Sequence, residues 1–167
     1  RCVDRIAHMS QDVQLLFIRG NHDADRVTSL QEVMRVAYEN HPNVNVSDSI
    51  KSRQYVRYGK CLFGFAHGDK ERKAEKLAQR MTIDKEAKKH WSDIDMGVYF
   101  LGDIHHERKY KHMNGVDFDG VSVKFLRDMS VVDEWHWERG FNGGQKSIYL
   151  FGYRKDGKRE YEHKINL

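Results

Sequence analysis

Residues 13–23 read Val13-Gln14-Leu15-Leu16-Phe17-Ile18-Arg19-Gly20-Asn21-His22-Asp23. An apolar run of this length suits a buried strand. It stops on an amide, an imidazole and a carboxylate placed side by side, with Gly20 giving the turn. The same change recurs twice. A hairpin reading of 53–66 (RQYVRY, a turn at Gly59-Lys60, then CLFGFA) ends in His67-Gly68-Asp69. The apolar run 97–101, GVYFL, ends in Gly102-Asp103-Ile104-His105-His106. In α/β proteins, ligands bind beyond the carboxyl ends of strands, where the loops surround a crevice. Three such ends would gather imidazole, amide and carboxylate groups. Imidazole accepts transition metals, and the oxygen donors suit harder ions.

The remaining segments fit one α/β domain over 1–167. Residues 1–10, with Val3, Ile6, Ala7 and Met9, read as the end of an amphipathic helix. Leu30, Val33, Met34 and Ala37 have helical spacing, and Ser29 with Glu32 suggests a capping box, so a helix is expected over 29–40. Pro42 lies just past its end. Val44–Val46 reads as a strand. Residues 70–91 read as helix, in one or two pieces. Residues 121–132 suggest one or two strands. The tail reads as a hairpin, SIYLFGY and EYEHKIN, around Lys155-Asp156-Gly157-Lys158.

The chain has 167 residues, 39% hydrophobic and 32% charged, which suits a globular domain and excludes a disordered one. No apolar run approaches the ~20 residues of a membrane span, and the given residues hold no charged-then-apolar stretch of the secretory kind. Two distant cysteines, Cys2 and Cys61, lack metal-type spacing. A reduced protein in the cytoplasm is the expectation. The net charge of +4 suits a polyanionic substrate.

Strand-GNHD, then strand-His-Gly, then strand-Gly-x-x-His resembles the calcineurin-like metallophosphoesterases. The run GDIHH and the spacing are most similar to a phage-borne group related to DNA-repair exonucleases, and the likeness extends to LRDMSVVDEWHW at 126–137. The resemblance implies an αββα sandwich and a hydrolase with two divalent metal ions, Mn²⁺ first, with Mg²⁺, Fe or Zn²⁺ as other occupants. It implies Asn21 and His67 as ligands of the second metal and His105 as a ligand of the first. His22 would be the catalytic histidine at the phosphoryl group, and Asp23 would orient it. Asp103 stands where the family has a histidine ligand. It is either a ligand that favours hard cations or an ordinary strand-end Asp of the helix-capping kind. His106 reads as solvated, and the Lys70–Arg80 run as a solvated helix face or a phosphate contact.

The family's Asp-x-His and Gly-Asp-x-x-Asp motifs do not precede Asn21. The chain therefore reads as the C-terminal portion of a longer protein, nearly inactive alone. The expected activity is phosphodiester hydrolysis, with nucleic acid as first substrate. The alternatives are a phosphomonoester or small-nucleotide diester substrate, and a non-catalytic binding module. Oligomeric state is left open.

Overall fold

The computed structural model describes residues 2–21, 23–69, 74–102, 115–118, 120–127 and 146–167. Its contacts divide into two compact units, Arg1–Gln54 and Tyr55–Leu167.

In the first unit, α1 (Cys2–Met9), β1 (Val13–Leu15), α2 (Ala24–Tyr38) and β2 (Val44–Val46) follow in order. β1 and β2 pair in parallel, Val13 opposite Val44 and Leu15 opposite Val46. Parallel strands cannot be joined by a tight turn, so α2 makes the crossover. Val13, Tyr38 and Val44 form the core, with Val3, Ala7, Met34 and Val46 packed around them. Asn43 Nδ2 donates to the carbonyls of Ala7 and Ser10 at 2.7 and 2.9 Å, which satisfies the open end of α1.

The extent and inner face of α2 differ from the sequence expectation. The helix begins at Ala24, five residues before the Ser29 of the expected capping box. Ser29 Oγ donates back to Asp25 O at 3.0 Å, and Glu32 pairs with Arg35 at 3.1 Å. Gln31 and Tyr38 are buried, whereas Leu30 and Val33 are 50% and 62% exposed. Val27, Gln31, Met34 and Tyr38 share the helical period of the expected stripe and keep its Met34, but the face they form is turned away from Leu30 and Val33. The two strands select that face, because it presents Tyr38 and Met34 to Val13 and Val44.

The second unit is built on a five-stranded mixed sheet in the order β3 (Arg53–Tyr58), β4 (Cys61–Ala66), β5 (Met96–Leu101), β7 (Val121–Phe125), β6 (Gly115–Phe118). β4, β5 and β7 run parallel, and β6 is antiparallel to β7. α3 (Ala74–Ile83) and α4 (Lys85–Trp91) connect β4 to β5. Alternation assigns the two faces. Leu62, Ala66, Tyr99, Leu101, Val121 and Val123 join Leu77, Ala78, Met81 and Ala87 of the helices in one buried cluster. Each fully buried Leu or Met there contributes about 1.5–3 kcal/mol. Gly64 lets α3 approach closely, since a Cβ on it would lie 2.9 Å from Met81 Cε.

The opposite face carries Phe63, Phe65, Phe100 and Lys124. It meets the hairpin of β8 (Ser147–Tyr153) and β9 (Arg159–Asn166). Phe63 packs on Tyr153 and Phe100 on Phe151, with ring centroids 4.8 and 4.9 Å apart. Lys124 Nζ reaches Glu162 at 3.3 Å between the sheets. This unit is thus a helix layer, a five-stranded sheet and a two-stranded sheet. β6 was not anticipated, and residues 128–132 of the expected strand region lie outside the described residues. Among the described residues, no helix is long and apolar enough to cross a membrane.

Candidate functional site

Beyond β1, residues 16–20 continue without regular structure to a bend at Asn21. Three side chains hold this segment. Gln54 Nε2 donates to Phe17 O at 2.8 Å. Arg19 Nε donates to Ala24 O at 3.3 Å, and its Nη1 to Ile50 O at 3.4 Å. Asp23 Oδ1 accepts the Gly20 N–H at 2.7 Å. Asp23 is the N-cap of α2, yet its carboxylate makes no bond to the helix N–H groups. It turns back and closes the Gly20–Asp23 loop. Its carbonyl accepts the Val27 N–H at 2.8 Å and starts the helix. Asn21 is exposed on this loop.

Gln31 extends the support. It is 2% exposed, and its Nε2 donates to the carbonyls of Ser47 and, at 3.4 Å, Ser49. Those bonds fix the chain that leaves β2. Arg19, Gln31 and Gln54 were not singled out from the sequence. The sequence carried no signal for Gln31, since the expected core stripe ran through Leu30 and Val33; once buried, its amide needs partners.

In the second unit the parallel register does the positioning. Ala66 lies opposite Leu101, and Leu101 opposite Phe125. Three strands therefore end at one edge of the sheet. Gly102 N–H donates to Ala66 O at 3.3 Å, and Leu126 N–H to Leu101 O at 2.7 Å, which continues the alignment past the last strand residues. His67, half-buried, leaves β4 beside Gly102, whose position places a Cβ only 3.3 Å from His67 O. The His67-Gly68-Asp69 turn and the segment that starts at Gly102 thus share one origin.

Asn21, Asp23 and His67 are the site candidates among the described residues. His22, Asp103 and His105 lie outside them, as does the 128–137 part of the late motif. The hydrogen bond through which Asp23 was expected to orient His22, His22 donating, therefore falls outside as well. Among the described residues, no three His, Cys, Asp or Glu side chains gather in a metal-binding group. Both cysteines are free thiols, and burial raises the pKa of Cys61. Compared with protein-family profiles, curated proteins and solved structures, the chain matches none of them.

Proposed function

We propose that this chain belongs to a metal-dependent phosphoesterase of the calcineurin-like type, an αββα sandwich acting on a phosphodiester, nucleic acid first. One observation carries the reading. The strands before His67 and Gly102 are adjacent, parallel and in register, so two of the three metal-type motifs begin at one sheet edge. The helix-sheet-sheet layering of residues 55–167 is compatible with it.

The donor set suits divalent cations. Asn21 offers an amide oxygen, His67 and His105 imidazole nitrogens, and Asp103 a carboxylate, a mixture fitted to Mn²⁺ or Mg²⁺. Asn21, His67, Asp103 and His105 would hold the ions. Bound as a pair, such ions supply a hydroxide at neutral pH and neutralise charge on the phosphoryl oxygens. His22 would donate a proton or hydrogen bond to the leaving oxygen. Asp23 would hold the loop that carries His22. Its carboxylate accepts the Gly20 N–H.

The test is hydrolysis of bis-p-nitrophenyl phosphate with Mn²⁺ by the protein carrying all of its natural sequence. His22→Ala is expected to slow turnover by roughly 10²–10⁴-fold, the usual contribution of a general acid or base. Mn²⁺ affinity by calorimetry should stay the same. A variant as active as the parent removes His22 from the mechanism. A non-catalytic binding module is the second reading, since Asp103 stands where the resembled family has a histidine ligand. Mn²⁺ binding without turnover on any phosphoester would select it.

A further inference from the structure

The charge of the chain is unevenly placed. Residues 1–54 carry seven basic and seven acidic side chains, whereas residues 55–167 carry 22 basic and 18 acidic. The excess of +4 belongs wholly to the second unit. Residues 70–91 alone hold eight basic and four acidic side chains. α3 and α4 occupy most of that stretch, with inner faces fixed on the sheet by Leu77, Ala78, Met81 and Ala87.

Lys76, Arg80, Lys85, Lys88 and Lys89 remain exposed on these two helices. Several other cations of the same unit are engaged, although Lys155 and Lys158 on the β8–β9 hairpin have no ion pair among the described residues. Arg57 pairs with Asp93, Lys60 with Asp95, Lys124 and Arg159 with Glu162, and Arg154 with Asp156. Among the described residues, the five on α3 and α4 have no such partner. Glu75 and Glu86 share these helices with five cations, and the third acidic side chain, Asp84 at the helix junction, is occupied. Its Oδ2 accepts the Tyr55 hydroxyl at 2.6 Å. Lys76 and Arg80 stand one turn apart, a rise of about 6 Å. A packed helix pair holds such cations in place, and a polyanion that meets them breaks no ion pair.

We propose that the solvent faces of α3 and α4 form a docking surface for the phosphate backbone of nucleic acid. This deepens the nucleic-acid reading above and rests on it for the kind of partner, but not on metal chemistry. Contacts made by lysine and arginine to phosphates fix a strand in place without reading its sequence. Binding should therefore be indifferent to base sequence and steep in salt.

The experiment is fluorescence anisotropy of a labelled DNA duplex and a labelled single strand, in EDTA, across roughly 50–200 mM salt. The parent should bind at least one probe with a steep salt slope. K76E/R80E/K89E should lose tenfold or more in affinity. Its log–log salt slope should fall by about 3, one for each lost phosphate contact. K155E/K158E/K164E, which changes the same charge on the β8–β9 hairpin, should lose far less. K76Q/R80Q/K89Q, with circular dichroism as a fold check, should reproduce the loss in milder form. No binding by the parent, or equal losses in the two charge-reversal variants, overturns the surface. Hydrolysis of bis-p-nitrophenyl phosphate separates the two proposals. Intact hydrolysis with no effect of the α3–α4 substitutions sinks the surface alone. Mapped DNA binding without any hydrolysis sinks the enzyme reading alone.

Discussion

Asp23 is the residue on which the first loop turns. An aspartate before a helix usually accepts from the second or third helical N–H. Here it accepts from Gly20 instead, and that bond spans the Asn21-His22 pair. The geometry makes Asp23 a clamp on the loop as much as a helix cap. Asp23→Ala should lower stability by about 1 kcal/mol, the usual net value of one hydrogen bond. Asp23→Asn keeps an accepting oxygen and should lose less. Urea unfolding of the two variants measures the difference. Equal losses would mean that the negative charge near the α2 N-terminus matters, and not the bond to Gly20.

At the scale of elements, the β3–β4 turn is tied to the β8–β9 turn. Lys60 N–H donates to Lys155 O at 2.8 Å, and Arg154 N–H to Lys158 O at 2.8 Å. Gly59 adopts φ +56°, and a Cβ there would lie 2.3 Å from Lys155 O. That neighbour is backbone and cannot step aside. Gly59→Ala should destabilise by roughly 2 kcal/mol or more, from the left-handed conformation and the displaced turn together. Thermal unfolding checks it, and an unchanged midpoint would mean that the two turns are not coupled. α2 and α3 offer a contrast. The inner face of α3 matches a single run of Leu77, Ala78 and Met81. α2 carries two apolar faces, and Leu30, Val33 and Val36 remain exposed on one of them.

At the scale of the molecule, the second unit depends on aromatic contact between its two sheets. Tyr153 lies in that contact against Phe63. Burial, above all, pushes its phenol up to about 12 from the ordinary 10.0. The folded pKa exceeds the unfolded one, so the folded state holds the proton more tightly between those values. This contribution is complete below about pH 10 and is lost as pH rises towards 12. Tyr55, buried against Tyr99 and bonded to Asp84, is shifted in the same direction. Stability should therefore fall across pH 10–12, and Tyr153→Phe should flatten that fall while it keeps the ring contact. Urea midpoints measured against pH test this. An identical slope in the variant would mean that Tyr153 does not titrate in the window.

The sequence by itself determined what neighbouring residues decide. The strands at 44–46, 53–66 and 97–101, the helical character of 70–91 and the terminal hairpin all follow from local alternation, helical spacing and turn residues, while the break between α3 and α4 was left open. The polar clusters that follow β4 and β5 were legible for the same reason, as an apolar run that stops on ligand-type side chains can be seen without its partners, whereas β1 ends at Leu15, six residues short of Asn21. β6 was missed although Asp119-Gly120 is a hairpin turn signal, because its strand is short, opens on Gly115 and carries Asp117. Tertiary structure alone decided the strand order, the packing of the β8–β9 hairpin on Phe63 and Phe100, and the inner face of α2. Helical period is satisfied equally by the expected Leu30-Val33-Met34-Ala37 and by Val27-Gln31-Met34-Tyr38, which share only Met34. Only contact with Val13 and Val44, distant in the chain, chooses between them, and the same holds for the Gln54 and Arg19 bonds that support the Asn21 loop.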